Sequence, residues 1–181
     1  VVLSHGTHLY LDHPNEAHPE ERGYYWAARY TDPKRIFGYM PDHVYANADK
    51  TRSGAVITDL EQLVGRALPT LEKPENILGV QGQVWTETIR TAEQLEQMLF
   101  PRLVPIAERA WHHAAWEGDK ADTAARDKSW QMFARVLAEK ELPKMSLAGV
   151  HYYLPVVGAT IKNGVLQANV SLPGIAIEYS L

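Results

Sequence analysis

Cysteine is absent from the 181 residues, which excludes disulfides and thiolate metal sites. A basic surplus is missing too: 18 Lys and Arg against 22 Asp and Glu leave a net charge of −4. Nucleic acid and anionic membranes are held by basic faces, so neither is an expected partner. No run of about 18 apolar residues occurs, so no membrane span is expected. The phosphate-cradling patterns G-x-x-x-x-G-K and G-x-G-x-x-G are absent, as are the nucleophile elbow G-x-S-x-G and the zinc signature H-E-x-x-H. No cofactor is expected. A Lys/Arg-led apolar leader is also lacking. The chain opens without Met, inside the apolar run Val1-Val2-Leu3-Ser4, which reads as a strand cut from a longer protein.

What is present alternates between strand and helix signals. Val1–Ser4 reads as a buried strand, followed by a His-, Pro- and Asp-rich loop over His5–Glu20. Gly23–Tyr30 is dense in aromatics. Asp32-Pro33 opens a helix, with Asp32 as N-cap and Pro33 at the first helical position. Leu60, Leu63, Val64, Ala67 and Leu68 follow helical spacing, which Gly65 weakens and Pro69 should stop. Ile77–Trp85 reads as a second buried strand whose two glycines mark close backbone approach. Thr91 caps the next helix. Its stripe includes Leu95, Met98, Leu99, Leu103, Ile106, Ala107, Ala110 and Trp111, and Pro101 and Pro105 predict a kink or two abutting helices. A further helix is expected over Ala121–Glu139, with Trp130, Phe133, Val136 and Leu137 inward and Pro143 ending it.

Beyond residue 150 the texture is all-β. Runs at 159–161, 165–170 and 175–179 predict about three short strands, with Asn163-Gly164 as a hairpin turn and Pro173-Gly174 as another turn. The expected fold class is α/β, with residues 1–145 forming two βα units of a parallel sheet and 150–181 a truncated β module. A complete (β/α)8 barrel needs about 250 residues, so at most part of one is present.

Chemistry-bearing residues gather where strands end. His5, His8, Asp12 and His13 can be drawn as a metal cluster, but at no recognised spacing, so no metal site is expected. Tyr10 and Asp12 follow the first strand. A Tyr hydroxyl can donate to a substrate carbonyl and an Asp can accept from sugar hydroxyls; a surface aromatic and a solvated acid are the plain alternative. Trp85 and Glu87 end the second strand. A flat indole packs against a sugar's C–H face while a carboxylate binds its hydroxyl rim; a core Trp is the alternative. Trp26 carries the same two readings. Arg102, Glu108 and Arg109 are read as structural ion pairs that fix the helix.

Two stretches together resemble glycoside hydrolase family 20, within it most closely the bacterial chitobiases. They are Gly79–Glu87, containing W-x-E, and Pro101–Trp111, containing P-R…A-E-R-x-W. Leu9-Tyr10-Leu11-Asp12 is similar to the strand end that precedes them. The resemblance implies the last two βα units of a (β/α)8 TIM barrel, followed by the start of an immunoglobulin-like β-sandwich. It implies a β-N-acetylhexosaminidase acting on chitobiose and chitooligosaccharides, retaining and substrate-assisted, with the acetamido oxygen as nucleophile. Tyr10 then orients the acetamido carbonyl, Asp12 and Glu87 hold hydroxyls of the terminal sugar, Trp85 walls its pocket, and Trp26 stacks on the next sugar. The family's catalytic Asp-Glu dipeptide does not occur in this chain. An N-terminal part of the same protein is the implied partner, and the isolated chain is expected to be inactive. Family likeness alone implies a periplasmic or secreted location. The competing expectation is a non-catalytic carbohydrate-binding protein.

Overall fold

The computed structural model of the chain describes residues 1–180; Leu181, the last position of the expected β module, lies outside them. β1 (Val2–Leu3) and β2 (Gly79–Val80) pair in parallel, Val2 opposite Gly79 and Leu3 opposite Val80. Parallel strands need a crossover. Here residues 4–78 supply it, with α1 (Gly6–Leu9), α2 (Pro33–Phe37) and α3 (Leu60–Val64). Then come α4 (Ala92–Leu99) and α5 (Leu103–Trp111). The βα order is the expected one, but the strands are shorter and barer. Among the described residues each strand has one neighbour, so Val2 and Leu78 are 51% and 79% exposed rather than buried. The run Ile77–Trp85 is a strand only at its start. Gly82 does mark a close approach, since a Cβ there would lie 2.8 Å from Ile106 Cδ1; nothing comes near Gly79.

Local capping chemistry sets the helix starts. The Asp32 carboxylate accepts from the Arg35 N–H at 2.7 Å, and the Thr91 hydroxyl accepts from the Gln94 N–H at 3.3 Å. The prolines at 101 and 105 give two abutting helices, α4 and α5, with Pro105 inside the first turn of α5. α5 packs on α2 and on β2. Leu9, Leu11, Ile36, Tyr39 and Ile106 form a core directly behind the strand ends. Burying each such aliphatic side chain is worth roughly 1.5–3 kcal/mol.

Other expectations fail where tertiary contacts decide. α3 stops at Gly65, before Pro69, and buries none of its stripe. Trp111 sits at the end of α5 with 91% of its surface exposed. Pro143 does not end its helix. α6 (Thr123–Val136) runs through a π turn at Leu137–Glu141 into α7 (Leu142–Leu147), and Pro143 directly follows that wider turn, a usual place for a helix to take up a proline. Val136 is exposed, whereas Trp130, Leu137 and Leu142 join Phe37, Met40, Trp116 and Leu172 in a second core.

The hairpin forms as expected. β3 (Gly158–Lys162) and β4 (Val165–Asn169) pair antiparallel across Asn163-Gly164, both at positive φ, the requirement of a tight type I′ turn. All ten strand residues are exposed. The third run, 175–179, does not pair. Instead Leu172 is buried against the helical core and Ile175 packs beside it, so that segment gains burial rather than a ladder.

Candidate functional site

Beyond β1 and β2 the two segments stay paired. The Gln83 N–H donates to the Leu9 carbonyl at 2.8 Å, the Leu11 N–H donates to the Gln83 carbonyl at 2.6 Å, and Tyr10 pairs with Gln83 in parallel. The Tyr10–Asp12 and Trp85–Glu87 segments therefore leave the same end of the same sheet.

Around the first segment the structure brings Tyr10, Asp12 and Trp26 together. The Trp26 indole N–H donates to Asp12 Oδ2 at 2.8 Å. Its ring meets Tyr10 edge-on at 4.9 Å and stacks on His13 at 5.0 Å. Asp12 is 5% exposed, yet its Oδ1 has no partner among the described residues. An unpaired buried acceptor costs roughly 1–3 kcal/mol, so this enclosed oxygen is an unmet acceptor that a ligand's donor reaches only when the loop around it shifts. Gly23 closes the loop over it: its φ is +122°, a Cβ there would lie 2.4 Å from the Asp12 carbonyl oxygen, and the next residue, Tyr24, donates its N–H to that oxygen. His13 fixes its own tautomer. Nδ1–H donates to the Tyr10 carbonyl at 3.0 Å, while Nε2 accepts from the Ala27 and Ala28 N–H groups at 3.3 and 3.2 Å. Burial lowers its pKa, so the ring stays neutral at neutral pH.

Arg102 holds this loop from behind. It is wholly buried and donates to the carbonyls of Leu11 (2.6 Å), His13 (2.8 Å), Thr31 (3.1 Å) and Met98 (2.6 Å). Burial lowers its pKa to about 9, which leaves the guanidinium charged at neutral pH. The ion-pair reading therefore fails for Arg102, whose partners are backbone carbonyls on either side of Asp12. It holds for Arg109, whose guanidinium meets Glu117 at 2.6 Å and Glu108 at 3.6 Å. Sequence reasoning named His13 and Arg102 but gave them other roles, a possible metal ligand and an ion pair; the structure makes both of them builders of the Asp12 loop.

The second segment is different. Trp85 is 57% exposed and Glu87 is exposed. The Glu87 backbone carbonyl accepts from Arg90 at 2.7 Å. Among the described residues, no hydrogen bond or ring contact joins Trp85 or the Glu87 carboxylate to the Tyr10 cluster. A cavity of about 510 Å³ lies elsewhere, lined by Thr7, His8, Ala27, Arg35 and Arg126 among others, and it includes none of the five candidate residues. Cavity size is a poorer guide here than side-chain chemistry. Among the described residues no group of three or more His, Asp or Glu could hold a metal, so His5, His8, Asp12 and His13 do not converge as one.

Residues 1–114 match the model of the glycosyl hydrolase family 20 catalytic domain. The chain belongs to glycoside hydrolase family 20. Residues 141–181 match the chitobiase/β-hexosaminidase C-terminal domain. The family 20 chain is 42% identical over 203 residues to a β-hexosaminidase of Vibrio vulnificus, and 37% identical over 195 residues to an N,N′-diacetylchitobiase of Vibrio harveyi. Both alignments cover all of it but only 23% and 21% of those relatives, so it spans less than a quarter of their length. Among solved structures it is similar to the family 20 β-N-acetylhexosaminidase of Streptomyces coelicolor, at 25% identity and a TM-score of 0.56, over 84% of this chain and 23% of that one. A family 20 β-N-acetylglucosaminidase gives a TM-score of 0.57 at 24% identity, over 84% and 25% of the two chains. These likenesses support a piece of the family's TIM barrel.

Proposed function

We propose that this chain is the C-terminal part of a β-N-acetylhexosaminidase that removes terminal N-acetylglucosamine from chitobiose and chitooligosaccharides. In finer detail, β1 and β2 are the last two barrel strands, and residues 150–181 begin a β-sandwich. One observation carries the reading: the Tyr10–Gln83 pairing puts the Tyr10–Asp12 and Trp85–Glu87 segments at one end of a parallel sheet. In a barrel, the end where strands run into their helices bears the active site.

In this reading the Asp12 carboxylate accepts hydroxyls of the terminal sugar once the loop over it opens, and Glu87 accepts further ones. Trp85 supplies an apolar wall, and the exposed surface of Trp26 stacks on the next sugar. Tyr10 donates to the acetamido carbonyl. Its oxygen attacks the anomeric carbon in place of an enzyme carboxylate, a departure from the usual two-carboxylate scheme. Holding that oxygen in line is an orientation effect of the near-attack kind. An Asp-Glu pair on an N-terminal part of the same protein would orient the acetamido group and protonate the leaving oxygen. Compartment follows from family likeness alone, which favours export to the periplasm or beyond.

Two observations test the proposal. The gene upstream of Val1 should encode an Asp-Glu dipeptide within a barrel-length region; its absence would favour a non-catalytic carbohydrate-binding protein. The purified 181-residue chain should not cleave a chromogenic N-acetylglucosaminide, and turnover by it would overthrow the division of labour described above.

A further inference from the structure

The segment that leads into the β module crosses the back of the Asp12 loop and is fastened at several points. The Tyr153 N–H donates to the Phe100 carbonyl at 2.9 Å, and the His151 N–H donates to the Glu96 carboxylate at 2.8 Å. The Tyr153 hydroxyl lies 3.0 Å from Glu16 Oε2 and 2.8 Å from Glu21 Oε1. Glu16 also accepts from the Val156 N–H at 2.9 Å and the Ser171 hydroxyl at 2.6 Å. Three donors from 137 to 155 residues away thus converge on one carboxylate, four residues after Asp12. Hydrogen bonds to a carboxylate are roughly twice as strong as neutral ones. Burial and the two acids raise the phenol's pKa, so it remains a donor.

The rest of the loop explains why these contacts matter. Arg102 fixes it at Leu11, His13 and Thr31. Between His13 and Thr31 the chain runs outward through Ala17–Glu20, which are exposed, before returning with Trp26. Glu16 and Glu21 flank that excursion.

We propose that Tyr153 and Glu16 are positioning residues: the β module straps the loop so that Asp12 and Trp26 keep the spacing a sugar requires. The proposal rests on the sugar-holding reading of Asp12. It gives the C-terminal module a part in substrate affinity.

The test uses the intact protein that contains this chain. Tyr153→Phe keeps the ring and removes only the hydroxyl; Glu16→Gln keeps the shape and removes the charge. Steady-state kinetics on a chromogenic β-N-acetylglucosaminide, thermal unfolding, and hydrogen exchange of peptides over residues 13–31 are measured for each. We expect KM to rise about 3- to 10-fold per variant, the range one lost hydrogen bond allows, with kcat within about twofold. The double variant should fall short of the sum of the two single effects, because both remove the Tyr153–Glu16 contact. Exchange over 13–31 should speed up. Unchanged KM, with or without a fall in Tm, would reduce the strap to a structural contact and overturn the proposal. If wild type shows no turnover, the hydrolase reading fails by itself. Affinity for N-acetylglucosamine then replaces KM, and an unchanged value in Tyr153→Phe overturns the strap.

Discussion

The segments after β1 and β2 leave the same end of one small sheet, and they are held in opposite ways. After β1, residues 11–15 are buried, Arg102 grips the carbonyls on either side of Asp12, and Trp26 and His13 stack across it. After β2, Trp85 and Glu87 stand exposed, and the segment is held through its backbone, by Arg90 at the Glu87 carbonyl, Ile89 at Thr86 and Arg22 at Thr88. One half of the proposed sugar site is organised by this chain's own packing before any ligand arrives. The other is held by its backbone alone and presents the Trp85 and Glu87 side chains to solvent. Preorganised groups contribute more binding energy because less ordering remains to be done when the ligand arrives.

Arg102 carries the largest expected effect. Arg102→Met strands four buried carbonyls and should cost at least about 3 kcal/mol, at roughly 1 kcal/mol or more for each lost partner. Thermal unfolding of the chain should show this loss, whereas Trp85→Ala should change stability by less than about 0.5 kcal/mol, as exposed substitutions do. Equal losses would erase the contrast. Asp12→Asn in the intact protein should lower kcat/KM by about 10- to 100-fold, the worth of a hydrogen bond to a charged acceptor, with Tm nearly unchanged. Trp26→Phe removes the donor to Asp12 Oδ2 and should destabilise the loop by about 1 kcal/mol, whereas Trp85→Phe should not. A smaller effect sharpens the contrast through pH. Burial, then Arg35, His5 and Arg126, depress the pKa of His8, which is buried in the α1 turn between β1 and Tyr10. The unfolded chain takes up that proton more readily, so the His8 contribution is complete above about pH 6.5 and is lost as the pH falls below it. His8→Gln should flatten the acid limb of a Tm-against-pH curve; an unaltered limb would show that His8 does not drive it.

Features encoded within a few residues were legible beforehand. Asp32 and Thr91 cap their helices, and Asn163-Gly164 turns its hairpin, because each depends on a side chain or backbone angle next to the element it serves. Trp85 and Glu87 were expected to end the second strand, but β2 stops at Val80 and they lie several residues beyond it. Arg102 was misjudged because its carbonyl partners at Leu11, His13 and Thr31 lie 71 to 91 residues away. No pattern in the sequence distinguishes a guanidinium aimed at carbonyls from one aimed at an acid. Trp111 and the run at 175–179 failed similarly. Their periodicity is real, but burial is decided by which neighbours are within reach, and residues 172–175 found the α6–α7 helices rather than a third strand position.

The Tyr10 hydroxyl carries the proposed orientation of the acetamido group. Tyr10→Phe in the intact protein retains the ring that meets Trp26 and removes only the hydroxyl proposed to orient the acetamido oxygen. With a chromogenic β-N-acetylglucosaminide, kcat should fall about 10- to 100-fold while KM stays within about threefold, because an interaction specific to the transition state is lost. An unchanged kcat, or a loss confined to KM, would contradict it.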